Sequence, residues 1–208
     1  MSKLETNTID NISGSSTLNI GDTNATNITI DNGVTTLDFG TGISTVSNMP
    51  AAFKNAPAFH ARLSSDQTLA HATNTTVTCD QEAFDSDGCY NNTGSSTTLN
   101  GITVPAYSFA PNVAGKYFVY GFVRSNTSAT APLYYALITK NGSTNEFIEL
   151  SEFHQFASHH CGGILEFNGT SDYITLLAYQ NSGGSITLQG FSGKDEACNF
   201  GAYRIVGV

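Results

Sequence analysis

An all-β sandwich or jelly roll is the fold this sequence predicts, and three observations point to it. Charged residues make up only 12% of the chain while Ser, Thr, Asn and Gly abound, a composition that suits short strands and turns better than surface helices. Apolar and β-branched runs recur at short intervals, separated by clusters such as "NGS", "NGTSD" and "NSGG", each fit for a tight turn. No helical pattern intervenes between them, as expected for a sandwich built of many strands.

The N-terminal part reads differently from the rest. Between Thr17 and Gly42, apolar pairs alternate with polar residues: Leu18 with Ile20, Ile28 with Ile30, and Leu37 with Phe39. Successive pairs start ten and nine residues apart. Each pair marks a strand too thin to bury its own apolar edge, so it needs neighbours. Three copies wound about one axis would supply them, and residues 1–48 are expected to form an N-terminal anchor and trimeric β stalk. Residues 49–58, with Pro50 and Pro57, read as a linker to a head spanning 59–208.

Within the head, strands are expected in order at "AFHARLS" (58–64), "TTVTCD" (75–80), "YSFAP" (107–111) and "KYFVYGFVRS" (116–125). They continue at "LYYALITK" (133–140), "FIELSEFHQF" (147–156), "GGILEF" (162–167), "DYITLLAYQ" (172–180), "SITLQGF" (185–191) and "FGAYRIVGV" (200–208). Along 117–120, Tyr117 and Val119 fall on one side of a strand, Phe118 and Tyr120 on the other. A strand apolar on both sides is expected where one face lies in a core and the other meets a neighbour.

Charge and cysteine usage narrow the partners. The net charge of -9 reflects a shortage of Lys and Arg, eight in all, and a chain without clustered cations is a poor binder of phosphate backbones. Nucleic acid is not expected. No apolar run approaches the roughly 20 residues of a membrane span, and the first residues carry no apolar leader, so synthesis in a cytoplasm without membrane insertion is expected. Cys79, Cys89, Cys161 and Cys198 form no CxxC pair. They read as reduced small hydrophobes, with Cys79 and Cys89 the pair to check for a bridge.

The stretch "YSFAPNVAGKYFVYGFV" (107–123) resembles the signature of the complement 1q and tumour-necrosis-factor superfamily, in which F-x-x-P-x-x-x-G-x-Y-x-F marks two consecutive strands of a jelly-roll head. Phe109 and Pro111 fit up to a small shift, Gly115 and Tyr117 take the glycine and tyrosine places, and Val119 stands where the pattern has an aromatic. "AFHARLS", "EAFDSDGCYNN" (82–92), "ITKNGS" (138–143), "DYITLLAYQ" and "NFGAYRIVGV" (199–208) resemble further family segments in the same order. The resemblance covers about 150 residues and implies a homotrimer closed along aromatic-rich seams. It makes Tyr117, Val119, Tyr134 and Tyr135 candidates for trimer seam or core. The N-terminal "LETNTIDNISGSSTLNIG" resembles short virion proteins of tailed bacteriophages, especially marine and cyanobacterial ones. That resemblance implies display on a virion surface after synthesis in the host cytoplasm, with residues 1–48 attached to a phage capsid or tail protein.

Motifs for chemistry give little. His154, His159, His160 and Cys161 lie close in sequence, but one His and one Cys sharing a strand face are half a zinc site. Asp80, Glu82, Asp85 and Asp87 depart from an EF-hand spacing and read as a solvated acidic turn. No nucleophile elbow, zincin motif or phosphate loop is present, so no catalytic residue, metal or cofactor is expected. Glu149, Glu152 and Glu166 read as exposed-face carboxylates. Tyr90, Asn91 and Asn92 are candidate surface-binding residues. Two roles share this fold: a trimeric capsid decoration or cement protein, or short fibre, on a phage particle; alternatively, a receptor-binding tail fibre or spike head that recognises a bacterial surface glycan or protein. A depolymerising enzyme is the third, weaker possibility.

Overall fold

Burial alternates residue by residue along the longest aromatic run, which can only happen in a strand between a core and an outer face. The computed structural model describes residues 54–125, 133–152, 158–191 and 198–206, the stretch 144–152 by its backbone. The stalk candidates Leu18, Ile20, Ile28, Ile30, Leu37 and Phe39 lie outside the described residues, as does His154.

The strands in chain order begin with β1 (Ala58–Arg62), β2 (Gln67–Leu69), β3 (Thr75–Thr76) and β4 (Gln81–Asp85). Then follow β5 (Thr97–Leu99), β6 (Ile102–Val104), β7 (Ser108–Phe109), β8 (Gly115–Arg124) and β9 (Tyr134–Lys140). The last are β10 (Ser143–Glu152), β11 (Ser158–Phe167), β12 (Ile174–Gln180), β13 (Ile186–Leu188) and β14 (Asn199–Arg204). One five-stranded sheet has the order β11-β8-β14-β1-β4, and the sheet opposite it runs β10-β9-β12-β3, with β7 also pairing β12. Two small ribbons, β13 with β2 and β5 with β6, complete the described residues. With β1, β3, β8, β9, β10, β11, β12 and β14 taken as strands A to H, the main sheets read F-C-H-A and E-D-G-B. That is the wiring of a jelly roll.

The core between the sheets is aromatic. Phe59 is fully buried and stacks on Tyr90 at 4.4 Å and on Phe109 at 4.5 Å, with Phe200 edge-on at 5.0 Å. Tyr117 meets Phe167 edge-on at 5.1 Å. Such offset and edge-to-face pairs add to what area burial alone contributes. Aliphatics Ile138, Ile174, Leu176 and Leu188 fill the space around them.

The corner before β8 shows why glycine stands there. Gly115 has φ +144°, and a Cβ on it would meet Arg204 Nε at 3.2 Å. The Tyr117 hydroxyl donates back across the corner to the Val113 carbonyl at 2.8 Å, and Arg204 Nη2 donates to the Ala114 carbonyl at 3.3 Å. Replacing Gly115 by Val forces a β-branched residue into a conformation it rarely adopts, at a cost of about 1–3 kcal/mol. A lower urea midpoint is the expected result; an unchanged midpoint would show that the corner tolerates a side chain.

The acidic stretch corrects the sequence reading. Residues 81–85 form β4, an edge strand antiparallel to β1, where a loop was expected. Its residues lie mostly exposed, so it carries no burial alternation to reveal it; main-chain pairing with β1 makes it a strand. The free thiols Cys79, Cys89, Cys161 and Cys198 are all buried, and Cys79 is not bridged to Cys89. Burial pushes the Cys89 and Cys198 thiols up to about 11 and Cys161 to about 12, which makes them poor nucleophiles.

Candidate functional site: an aromatic outer face

The five-stranded sheet turns toward solvent a face that does not look like a solvated surface. On β8 the inward residues Tyr117, Val119, Gly121 and Val123 are buried, while Phe118, Tyr120 and Phe122 point outward and remain partly exposed. Strand pairing aligns these outward residues into rows across the sheet. One row reads Ile164, Phe118, Tyr203, Ala58. The next reads Gly162, Tyr120, Gly201, His60, Phe84. A third reads His160, Phe122, Asn199, Arg62.

The rings touch one another within and between rows. Phe118 lies 5.6 Å from Tyr203 and 6.2 Å from Tyr120, His60 is stacked between Tyr120 at 6.0 Å and Phe84 at 6.4 Å, and Phe122 meets His160 at 4.5 Å. Among the described residues, the large apolar side chains left exposed are Ile164 (61%), Phe84 (52%), Tyr203 (42%) and Val206 (37%). The first three lie on this face and Val206 lies two residues beyond the end of β14. Single exposed apolar residues are ordinary, but a contiguous patch of them marks an interaction surface.

Glycine makes the central row possible. A Cβ at Gly201 would stand 2.2 Å from the Tyr120 ring, so only glycine lets that ring lie flat across β14. In that pose the Tyr120 hydroxyl reaches His60 Nδ1 at 3.0 Å. On the other side of the imidazole, Arg62 Nε approaches His60 Nε2 at 3.5 Å, while the Arg62 guanidinium lies over the Phe191 ring at 5.0 Å. Burial first, and then the Arg62 charge, hold the His60 imidazole below its usual value. Burial, and after it Tyr203, push the Tyr120 phenol up.

The structure distributes the residues singled out from sequence. Tyr117 and Val119 are fully buried core. Tyr134, a candidate for seam or core, is a core residue, edge-on to His159 at 4.5 Å. Tyr135 lies on the outward side of the opposite sheet, stacked on Tyr179 at 4.8 Å and donating to Asn74 Oδ1. β9, which carries both tyrosines, sits in the sheet opposite the aromatic face, so neither lies on that face. Tyr90 and Asn91 are likewise not surface-binding residues. Tyr90 is buried on Phe59 with its hydroxyl donating to the Cys79 carbonyl, and the Asn91 amide ties the Ser95 and Pro105 carbonyls together. Asn92 is exposed.

Residues suspected of metal chemistry have other work. His159 and Cys161 face inward, whereas His160 faces outward against Phe122. Asp80 accepts from the Ser64 backbone and hydroxyl, and Asp85 accepts from the Tyr90 and Asp87 backbones. Among the described residues no three His, Cys, Asp or Glu side chains are grouped to hold a metal. A shallow cavity of about 360 Å³ includes Lys140, Glu166, Asn168 and Asp172 in its lining. There Asp172 is held by Lys140 at 3.1 Å, the Asn141 amide and the Asn168 backbone. Among the described residues no helix is long and apolar enough to cross a membrane.

The class of protein these features define is a jelly-roll domain with an aromatic outer face. No protein-family model matches the sequence, and no curated protein matches it. Solved structures with a similar fold are of the tumour-necrosis-factor and complement 1q kind. Murine APRIL at pH 8.0 is 13% identical, with a TM-score of 0.47 over 71% of this chain and 98% of that one. The PRD1 vertex protein P5 is 13% identical, with a TM-score of 0.44 over 71% and 96%. The globular domain of zebrafish complement 1qA is 13% identical, with a TM-score of 0.43 over 72% and 97%.

Proposed function

We propose that this chain is a non-catalytic structural protein of a phage virion, in which three jelly-roll heads associate through the aromatic face and are displayed on the particle surface. The observation that carries association is that face itself. Rows of outward Phe, Tyr, His and Ile side chains run in register across the sheet, where water would otherwise meet them at a cost of about 25 cal/mol per Å².

A second copy is the occupant that suits the face. It is rich in rings and has few charges at its centre, which matches the composition of protein–protein interface cores. Three copies, rather than two, are supported by the resemblance carried by residues 107–123. The paired aliphatics of 18–39, which call for neighbours of the same kind, support them too. The virion setting is supported by the N-terminal resemblance. Attachment through residues 1–48 at several points would make particle binding multivalent, so modest single contacts add up to a firm hold.

Two measurements test the reading. Sedimentation equilibrium of the full chain should return three times the monomer mass of 22.0 kDa; a monomer at every concentration would end the seam assignment. Nanogold labelling of intact particles with an antibody to residues 59–208 then locates the head. Label over the icosahedral shell supports decoration or cement, label at the tail supports receptor recognition, and unlabelled particles reject the virion setting.

A further inference from the structure

At the centre of the aromatic face stands a histidine whose contacts select the tautomer of its neutral ring. Arg62 Nε can only donate, so His60 Nε2, 3.5 Å away, is the accepting nitrogen. The proton of the neutral ring then sits on Nδ1 and is donated to the Tyr120 oxygen at 3.0 Å. A second proton has one place to go, Nε2, where it would face the Arg62 N–H. Donor would meet donor and cation would meet cation.

The surroundings offer that second charge little relief. On β1 the neighbouring charge is Arg62, whose guanidinium is engaged over Phe191. On β14 the residue in register is Gly201, with Tyr203 two positions on, and on β8 it is Tyr120. On β4 the residue in register is Phe84, while Glu82 pairs with Ala61 across a register shift. His60 is half-buried in the single head, and closing a seam over it would strip away the remaining water, which penalises the charged form further.

We propose that proton uptake by His60 loosens the seam, so that copies of this chain associate tightly near neutral pH and separate as the solution turns mildly acidic. This rests on the face being the seam proposed above. The imidazole binds a proton less readily in the folded head than in the unfolded chain, burial and then Arg62 being the causes. Closing the seam removes the water that the half-buried ring keeps in the single head, so the associated state holds fewer protons than the separated one. Its stability is fully present above the value His60 has in the separated head, which burial and Arg62 hold below the ordinary histidine value of about 6.5, and it declines as pH falls below that lowered value.

Sedimentation velocity of the full chain over a dilution series, at pH 8.0 and pH 5.5, reads this directly. The concentration at half-dissociation should rise severalfold at pH 5.5. His60→Gln, which keeps one donor and one acceptor without a titrating charge, should abolish the difference, and His71→Gln, at an exposed turn outside the rows of the face, should preserve it. Arg62→Gln removes the opposing cation and should shrink the difference even if the His60 variant folds poorly. Equal association at both pH values, a pH effect that survives H60Q, or tighter association in acid would each overturn the proposal. The last would make Glu82, or an acid from the neighbouring copy, the counter-charge. Monomers at pH 8.0 at every concentration would reject the seam itself, a result distinct from a pH-insensitive oligomer.

Discussion

The double variant Ile164→Asp, Tyr203→Asp should be a folded monomer. Both side chains are exposed members of one cross-strand row, on β11 and β14, with Phe118 between them. In the single head, aspartates there would stand in water, so thermal unfolding should shift by only a few degrees. In an assembled seam each would be a charge buried without a partner, which costs about 2–5 kcal/mol. Even the lower figure weakens association about thirtyfold, and the seam repeats in every copy. Sedimentation at a concentration where the wild type is fully associated should show only monomer, with an unchanged far-UV circular dichroism spectrum. Retained assembly would mean that copies meet through some other surface. Loss of the folded spectrum would mean that the face contributes to the stability of each head.

Phe59→Ala should be the most damaging single substitution within a head. The ring lies against Tyr90, Phe109 and Phe200, residues that come from three separate parts of the chain, and it is fully buried. Truncating a buried phenylalanine costs about 3–5 kcal/mol, against a total stability of about 5–15 kcal/mol for a domain. The hole is bordered by aromatic planes that cannot fold inward to fill it, which favours the upper part of that range. Urea unfolding followed by tyrosine fluorescence should show a large drop in midpoint. A loss below about 1 kcal/mol would place Phe59 outside the cooperative core.

Much of the fold was legible because strands with one buried side carry a period of two. The run at 116–125 announced β8, its two sides and the likelihood of an outside partner in one reading, and the structure puts Tyr117 and Val119 inward with Phe118 and Tyr120 outward. Other strands stayed hidden: β4 is exposed along most of its length, and β5 and β6 are three residues each, too short for a period to show although β6 buries Ile102 and Val104. The candidate site was half legible. Sequence placed Phe118 and Tyr120 opposite Tyr117 and Val119 without saying which side is core, and it left Tyr134 and Tyr135 between seam and core because two adjacent tyrosines look alike in any sheet.

What the sequence determined by itself is therefore the all-β class, the approximate strand positions and the two-sided apolar character of β8, because each depends on residues two or fewer positions apart. What only the tertiary structure decided is which strands lie side by side. His60, Phe84, Tyr120, Ile164 and Tyr203 come from five strands spread over more than a hundred residues, and no local period relates them. Pairing β8 with β11 and β14, β14 with β1, and β1 with β4 brings them onto one face. Main-chain hydrogen bonds set that register, and the buried aromatic core beneath holds it, since a slip of one residue would turn every ring to the wrong side of the sheet.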